Sequence, residues 1–154
     1  MIPRHRQAVR MAGLAPDRTR SAEVRKLAAD IKKAQAPEIE TLSGWLTSWG
    51  ETVPSESATD HSTHGTHGTH GMDGMDGMDG MMTGDDVDTL EKATGTAFDT
   101  AFLQMMIKHH EGAVDMARTE QAHGAYAPVK KMAGRIITSR SAETEQMNRL
   151  LGKS

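Results

Sequence analysis

The sequence predicts an all-α fold: a four-helix bundle made of two repeated helical hairpins. Three observations predict it. Apolar residues recur at helical spacing through both ends of the chain, and no convincing strand pattern interrupts them. The two ends also match each other at one constant offset, without a gap. Between them, residues 50–84 break every periodicity and are rich in Gly, Ser, Thr, His, Asp and Met.

Residues 3–15 and 19–49 read as the first two helices. Val24, Leu27, Ala28, Ile31, Leu42, Trp45, Leu46 and Trp49 mark the apolar face of the second, which Asp17 or Ser21 would cap. Pro37 falls inside that pattern and should kink or interrupt it. Residues 50–84 read as a disordered His/Met-rich connecting loop. A short helical turn is expected over 86–92, with Gly95 as a stop, and a long helix from about 97 to 121. Gly124 and Pro128 mark the next turn. The last helix runs over about 127–151, with Val129, Met132, Ala133, Ile136, Ile137, Met147, Leu150 and Leu151 on one side. The expected organisation is a first hairpin over 1–49, a linker over 50–84 and a second hairpin over 85–154, the two hairpins packing as one domain.

The duplication holds residue by residue. Met1, Ile2, His5, Ala8, Val9, Met11 and Ala12 match Met106, Ile107, His110, Ala113, Val114, Met116 and Ala117. Val24, Lys26, Ala28, Ile31, Glu38, Glu40 and Leu46 match Val129, Lys131, Ala133, Ile136, Glu143, Glu145 and Leu151. One register through two helices and their turn makes each copy a helical hairpin. The second copy has a lead-in, residues 98–105, that the first lacks. The chain is therefore expected to begin partway into its first helix, with the natural start, and any export signal, upstream.

Composition narrows the function. At 154 residues the chain has the size of one domain, and each hairpin alone is too short for a comfortable core. A net charge of −3 gives no reason to expect nucleic acid or an anionic membrane as partner. There is no apolar run long enough to span a bilayer and no signal peptide is visible. Cysteine is absent, so any metal must use Met, His, Asp or Glu. Twelve methionines against five aromatic residues is unusual. Core filling explains Met11, Met132 and Met147. It does not explain a Met-rich loop.

Met106 and His110 are four residues apart and share a helix face; Met105 and His109 form a second such pair. Thioether sulfur selects Cu(I), and imidazole accepts either copper state or zinc. Met1 and His5 repeat the first pair as a weaker mirror site, in which Arg4 replaces His109. Against this stands ordinary core packing of Met and His, which is the reading preferred for Met116. Glu111 and Asp115 are candidates to orient the histidines, against the alternative of exposed helix-face charge. In the linker His61, His64, His67 and His70 recur every third residue, and Met72, Met75, Met78 and Met81 continue the period. Glycine lets such donors converge on a metal. The imidazoles suit Cu(II), zinc or nickel, and the Met block suits Cu(I). The competing reading is an inert, solvated spacer produced by replication slippage.

Enzyme signatures fail. His110-Glu111 begins a zincin motif, but Val114 stands where the second histidine belongs. Glu120 and His123 supply one Glu-x-x-His, whereas the first copy has Ala15 and Arg18 there, so a di-iron set is incomplete. No phosphate loop, nucleophile elbow or EF-hand spacing occurs. No enzyme is expected.

The run F-D-x-x-F-x-x-M-M-I-x-H-H-x-G-A-V-x-M-A, residues 98–117, resembles the signature of the DUF305 family. The second copy matches throughout and the first from its Met-Ile-Pro-x-His part onward. The resemblance implies a ferritin-like helical bundle, an extracytoplasmic location and, as in some members, copper binding. It marks Asp99, Phe102, Met106, His109, His110, Ala113 and Met116 as motif positions. The expectation is an exported protein that sequesters or hands over copper, Cu(I) above all, with zinc or nickel as alternatives at the loop histidines. A non-catalytic structural or protein-docking bundle is the competing function. Beyond the metal ion, a copper-handling protein and a second copy of the chain are the partners left open.

Overall fold

The computed structural model describes residues 1–55 and 80–152. Among these the chain is all-α, with no strand. The helices are α1 (Ile2–Arg18), α2 (Ala22–Ser48), α3 (Gly84–Lys92), α4 (Gly95–His123) and α5 (Ala127–Gly152). Two compact units divide them. The first holds α1, α2, α3 and α4 as far as Phe102; the second holds α4 from Leu103 and all of α5. The loop residues His61, His64, His67, His70, Met72, Met75 and Met78, and the disorder expected of them, lie outside the described residues.

In the first unit α1 packs on α2 and α3. Ile2, Ala8, Met11, Ala12 and Ala15 recur at three- and four-residue spacing on α1 and are buried. Val24, Leu27, Ala28, Ile31 and Leu42 do the same on α2. Ser21 caps α2, its side chain accepting a hydrogen bond from the Val24 amide at 3.2 Å. Pro37 does not interrupt α2, which is continuous through it. Both Pro37 and Lys33 are exposed, so water can satisfy the Lys33 carbonyl that the missing N–H would have bound. The helix ends at Gly50. Its φ of 75° lets the Gly50 amide donate to the Thr47 carbonyl and the Glu51 amide to Leu46, closing a Schellman motif. Trp49, expected on the apolar face, is left 49% exposed at this end.

The far end of the linker is anchored on α1. The Gln7 side-chain amide donates to the Met82 carbonyl at 2.8 Å, and its oxygen accepts from the Met82 amide at 2.9 Å. Both bonds are buried. Arg6, the neighbouring residue, donates to the Pro54 carbonyl on the near end. Helicity resumes at Gly84, two residues before the expected start, because Thr83 and Asp86 form a capping box. Arg10 and Arg18 then hold α3 through the Glu91 carboxylate and carbonyl. Gly95 is not a stop but the first residue of α4, entered at φ 61°. Phe98 and Phe102 are fully buried and stacked, with centroids 5.5 Å apart. Asp99 accepts a hydrogen bond from the Thr19 hydroxyl in the α1–α2 turn. The Phe-Asp-x-x-Phe part of the signature is thus structural.

In the second unit α4 and α5 are joined by residues 124–126. Met132, Ala133, Ile136 and Met147 of α5 are buried, as expected; Val129, Ile137, Leu150 and Leu151 are only partly covered. No described helix is long and apolar enough to cross a membrane.

The Gln7 pair yields a direct prediction. Gln7→Ala strands the buried Met82 amide and carbonyl, at a cost of about 2 kcal/mol. Urea unfolding should show that loss, with faster proteolysis near Met82. Unchanged stability would mean that the linker end is not anchored by Gln7.

Candidate metal centre

His110 is fully buried on α4, one helical turn after Met106, which is also fully buried. Its Nε2 lies 2.5 Å from the Glu143 carboxylate on α5. A carboxylate only accepts, so Nε2 carries the proton and donates it. Arg140, itself 1% exposed, approaches the same carboxylate at 3.9 Å. It also donates to the Ser139 hydroxyl at 3.1 Å. Glu143 therefore joins a buried imidazole to a buried guanidinium. Breaking such a pair by truncating one partner costs roughly 3–5 kcal/mol, because the other charge is left stranded.

With Nε2 engaged, the chemistry of His110 passes to Nδ1. Among the described residues Nδ1 has no hydrogen-bond partner of regular geometry, the Met106 carbonyl being only a weak neighbour. Burial lowers the His110 pKa from the ordinary value of 6.5. The Glu143 hydrogen bond and charge act upward, Arg140 downward and the Met106 carbonyl upward, and burial wins. The ring is then neutral at pH 7, with a lone pair on Nδ1. A ligating histidine typically has this arrangement, its other nitrogen held by a carboxylate. The residues present fit a soft metal ion: an imidazole lone pair and a thioether on one buried helix face.

The other expected ligands fall as follows. His109 is 1% exposed, its ring 6.5 Å from that of His110 and tilted by 58°. Met105 is half-buried on the adjacent line of α4. In the first unit His5 is buried and Met1 half-buried. His5 Nε2 lies 2.6 Å from Glu38, and Nδ1 lies 3.0 Å from the Met1 carbonyl. Met81 is half-buried at the linker's far end. Among the described residues no three His, Asp or Glu side chains gather into a chelating group.

Glu111 and Asp115 do not orient the histidines. Both are exposed, and Asp115 faces Arg118 at 3.7 Å. The orienting carboxylates come from the partner helix of each hairpin, Glu38 and Glu143. Sequence reading passed over their role, although both stand at matching places in the duplication, as His5 and His110 do. Buried Arg140 and Gln35, also matched in position, carried no sequence signal, because isolated polar residues on a helix read as exposed.

A pH dependence follows. Below about pH 6.5 the unfolded chain takes up a proton that folded His110 refuses. Stability should therefore fall as pH drops from 7.5 toward 5, by at most about 1.4 kcal/mol per pH unit from this one group. His110→Gln keeps a donor for Glu143 and removes the titration. Urea melts across this range should show a shallower slope in the variant. An identical slope would contradict the lowered pKa.

No curated protein matches the sequence. Solved structures do. A candidate secreted protein of the DUF305 family from Streptomyces coelicolor is 30% identical, with a TM-score of 0.80; the match covers 97% of this chain and 86% of that one. A DUF305 fragment from Deinococcus radiodurans is 26% identical, with a TM-score of 0.80, covering 100% and 91%. CopM in its Cu(II)-bound form is 30% identical, with a TM-score of 0.75, covering 99% and 91%. CopM has also been solved with Cu(I) and with silver. The family model described as a domain of unknown function, DUF305, matches residues 1–151, and the chain belongs to that family.

Proposed function

We propose that the chain is a non-catalytic copper-binding protein, acting outside the cytoplasm to sequester or hand over Cu(I). The observation that carries the reading is His110. Its Nε2 is fixed by Glu143, and its unprotonated Nδ1 is buried one turn from the Met106 thioether. Copper in its reduced state favours this combination of donors. CopM, similar over nearly the whole chain, has been solved with Cu(I), Cu(II) and silver. The extracytoplasmic location draws on the Streptomyces relative, a candidate secreted protein. The scaffold is the pair of helical hairpins. The loop histidines and methionines serve as a capture arm, with zinc or nickel as weaker cargo of the histidines.

The test is a Cu(I) titration against a competing chelator, on the whole chain and on a variant lacking residues 61–80. That deletion spares the Gln7–Met82 contacts. Tight binding is expected in both, with fewer equivalents in the variant. Binding lost with the loop would move the function to the repeats and leave the helices as scaffold. No binding in either would sink the copper reading and favour a structural module.

A further inference from the structure

We infer that the two halves of the duplication have divided their roles: His110 Nδ1 is the metal-binding nitrogen of the second half, and the first half is a closed structural copy in which Arg4 replaces a ligand with a fixed charge. The inference rests on the copper-binding reading and assigns which copy, and which atom, does the binding.

The two copies differ at three matched places. The first is the Nδ1 nitrogen. Each histidine gives Nε2 to a glutamate of its own hairpin, at 2.6 Å for His5 with Glu38 and 2.5 Å for His110 with Glu143. His5 Nδ1 also lies 3.0 Å from the Met1 carbonyl, which crowds the approach to that nitrogen. The matching contact at His110 falls short of a regular hydrogen bond. The Met106 carbonyl faces His110 Nδ1 more loosely than the Met1 carbonyl faces His5 Nδ1.

The second place is the residue before each histidine. The first copy has Arg4, 3% exposed, and the second has His109, 1% exposed. A guanidinium offers donors and no lone pair, and its charge is permanent. It cannot ligate a metal, and it repels one. The buried side chains of α4 at this level, Met106, His109 and His110, each carry a lone pair.

The third place is on the partner helix. Gln35, 2% exposed, stands where the second copy has Arg140, 1% exposed. Each copy thus keeps one buried arginine, but on opposite helices. In the first copy the cation occupies the helix of the candidate ligands. In the second it sits on α5, against the Glu143 carboxylate that His110 also binds on its Nε2 side.

The experiment is a long-range ¹H–¹⁵N correlation spectrum of the labelled full chain, titrated with Ag(I) as a diamagnetic probe. His110 is expected to show protonated Nε2 and bare Nδ1, with Nδ1 shifting at the first bundle equivalent while His5 stays unchanged. Parallel shifts of His5 would overturn the division. A shift of His110 at Nε2 would overturn the assigned atom. Shifts confined to His61, His64, His67 and His70 would overturn the inference while metal binding by the chain survives; no shift anywhere would sink both. Arg4→His should make His5 responsive and add one Ag(I) equivalent. A folded Arg4→His variant without that gain would overturn the role given to Arg4.

Discussion

The second unit depends on one buried carboxylate. Glu143 faces His110 across the hairpin and is approached by Arg140 from its own helix. Two buried basic side chains would be costly without it. The carboxylate fixes the histidine tautomer, orients the ring and balances the guanidinium. The same contact that ties α4 to α5 therefore decides which nitrogen of His110 can meet a metal ion. Stability and site chemistry share one side chain.

The first unit carries the same histidine–glutamate pair. Glu38 holds His5 as Glu143 holds His110, and the separation along the chain is the same. Here the Met1 carbonyl lies 3.0 Å from the second nitrogen, and an arginine stands in the neighbouring helix position. Duplication supplied two equivalent pairs. The two copies thus differ by a histidine against an arginine on one helix and by an arginine against a glutamine on the other.

The helices were legible because their signals are local. Apolar spacing, the Ser21 cap and the turn glycines act over a few residues, and the duplication confirmed the register. Errors came where tertiary context overrides local preference: α2 continues through an exposed Pro37, and Gly95 opens a helix that it was expected to block. Spacing singles out Met106, His109 and His110 as candidates, and all three are buried. It does not single out the orienting residues, because a glutamate 33 positions away from its histidine shows no helical periodicity with it. The match of Glu38 with Glu143 in the duplication is the one signal that could have pointed to them. Arg140, Gln35 and Gln7 carry no sequence signal of burial, and only packing shows that they are interior.

The most direct measurement is a crystal structure of the Cu(I)-loaded chain. The account predicts copper bonded to His110 Nδ1, with Nε2 still on Glu143 and His5 unaltered. Copper bonded to Nε2 with Glu143 displaced, or a second unit without copper, would contradict it.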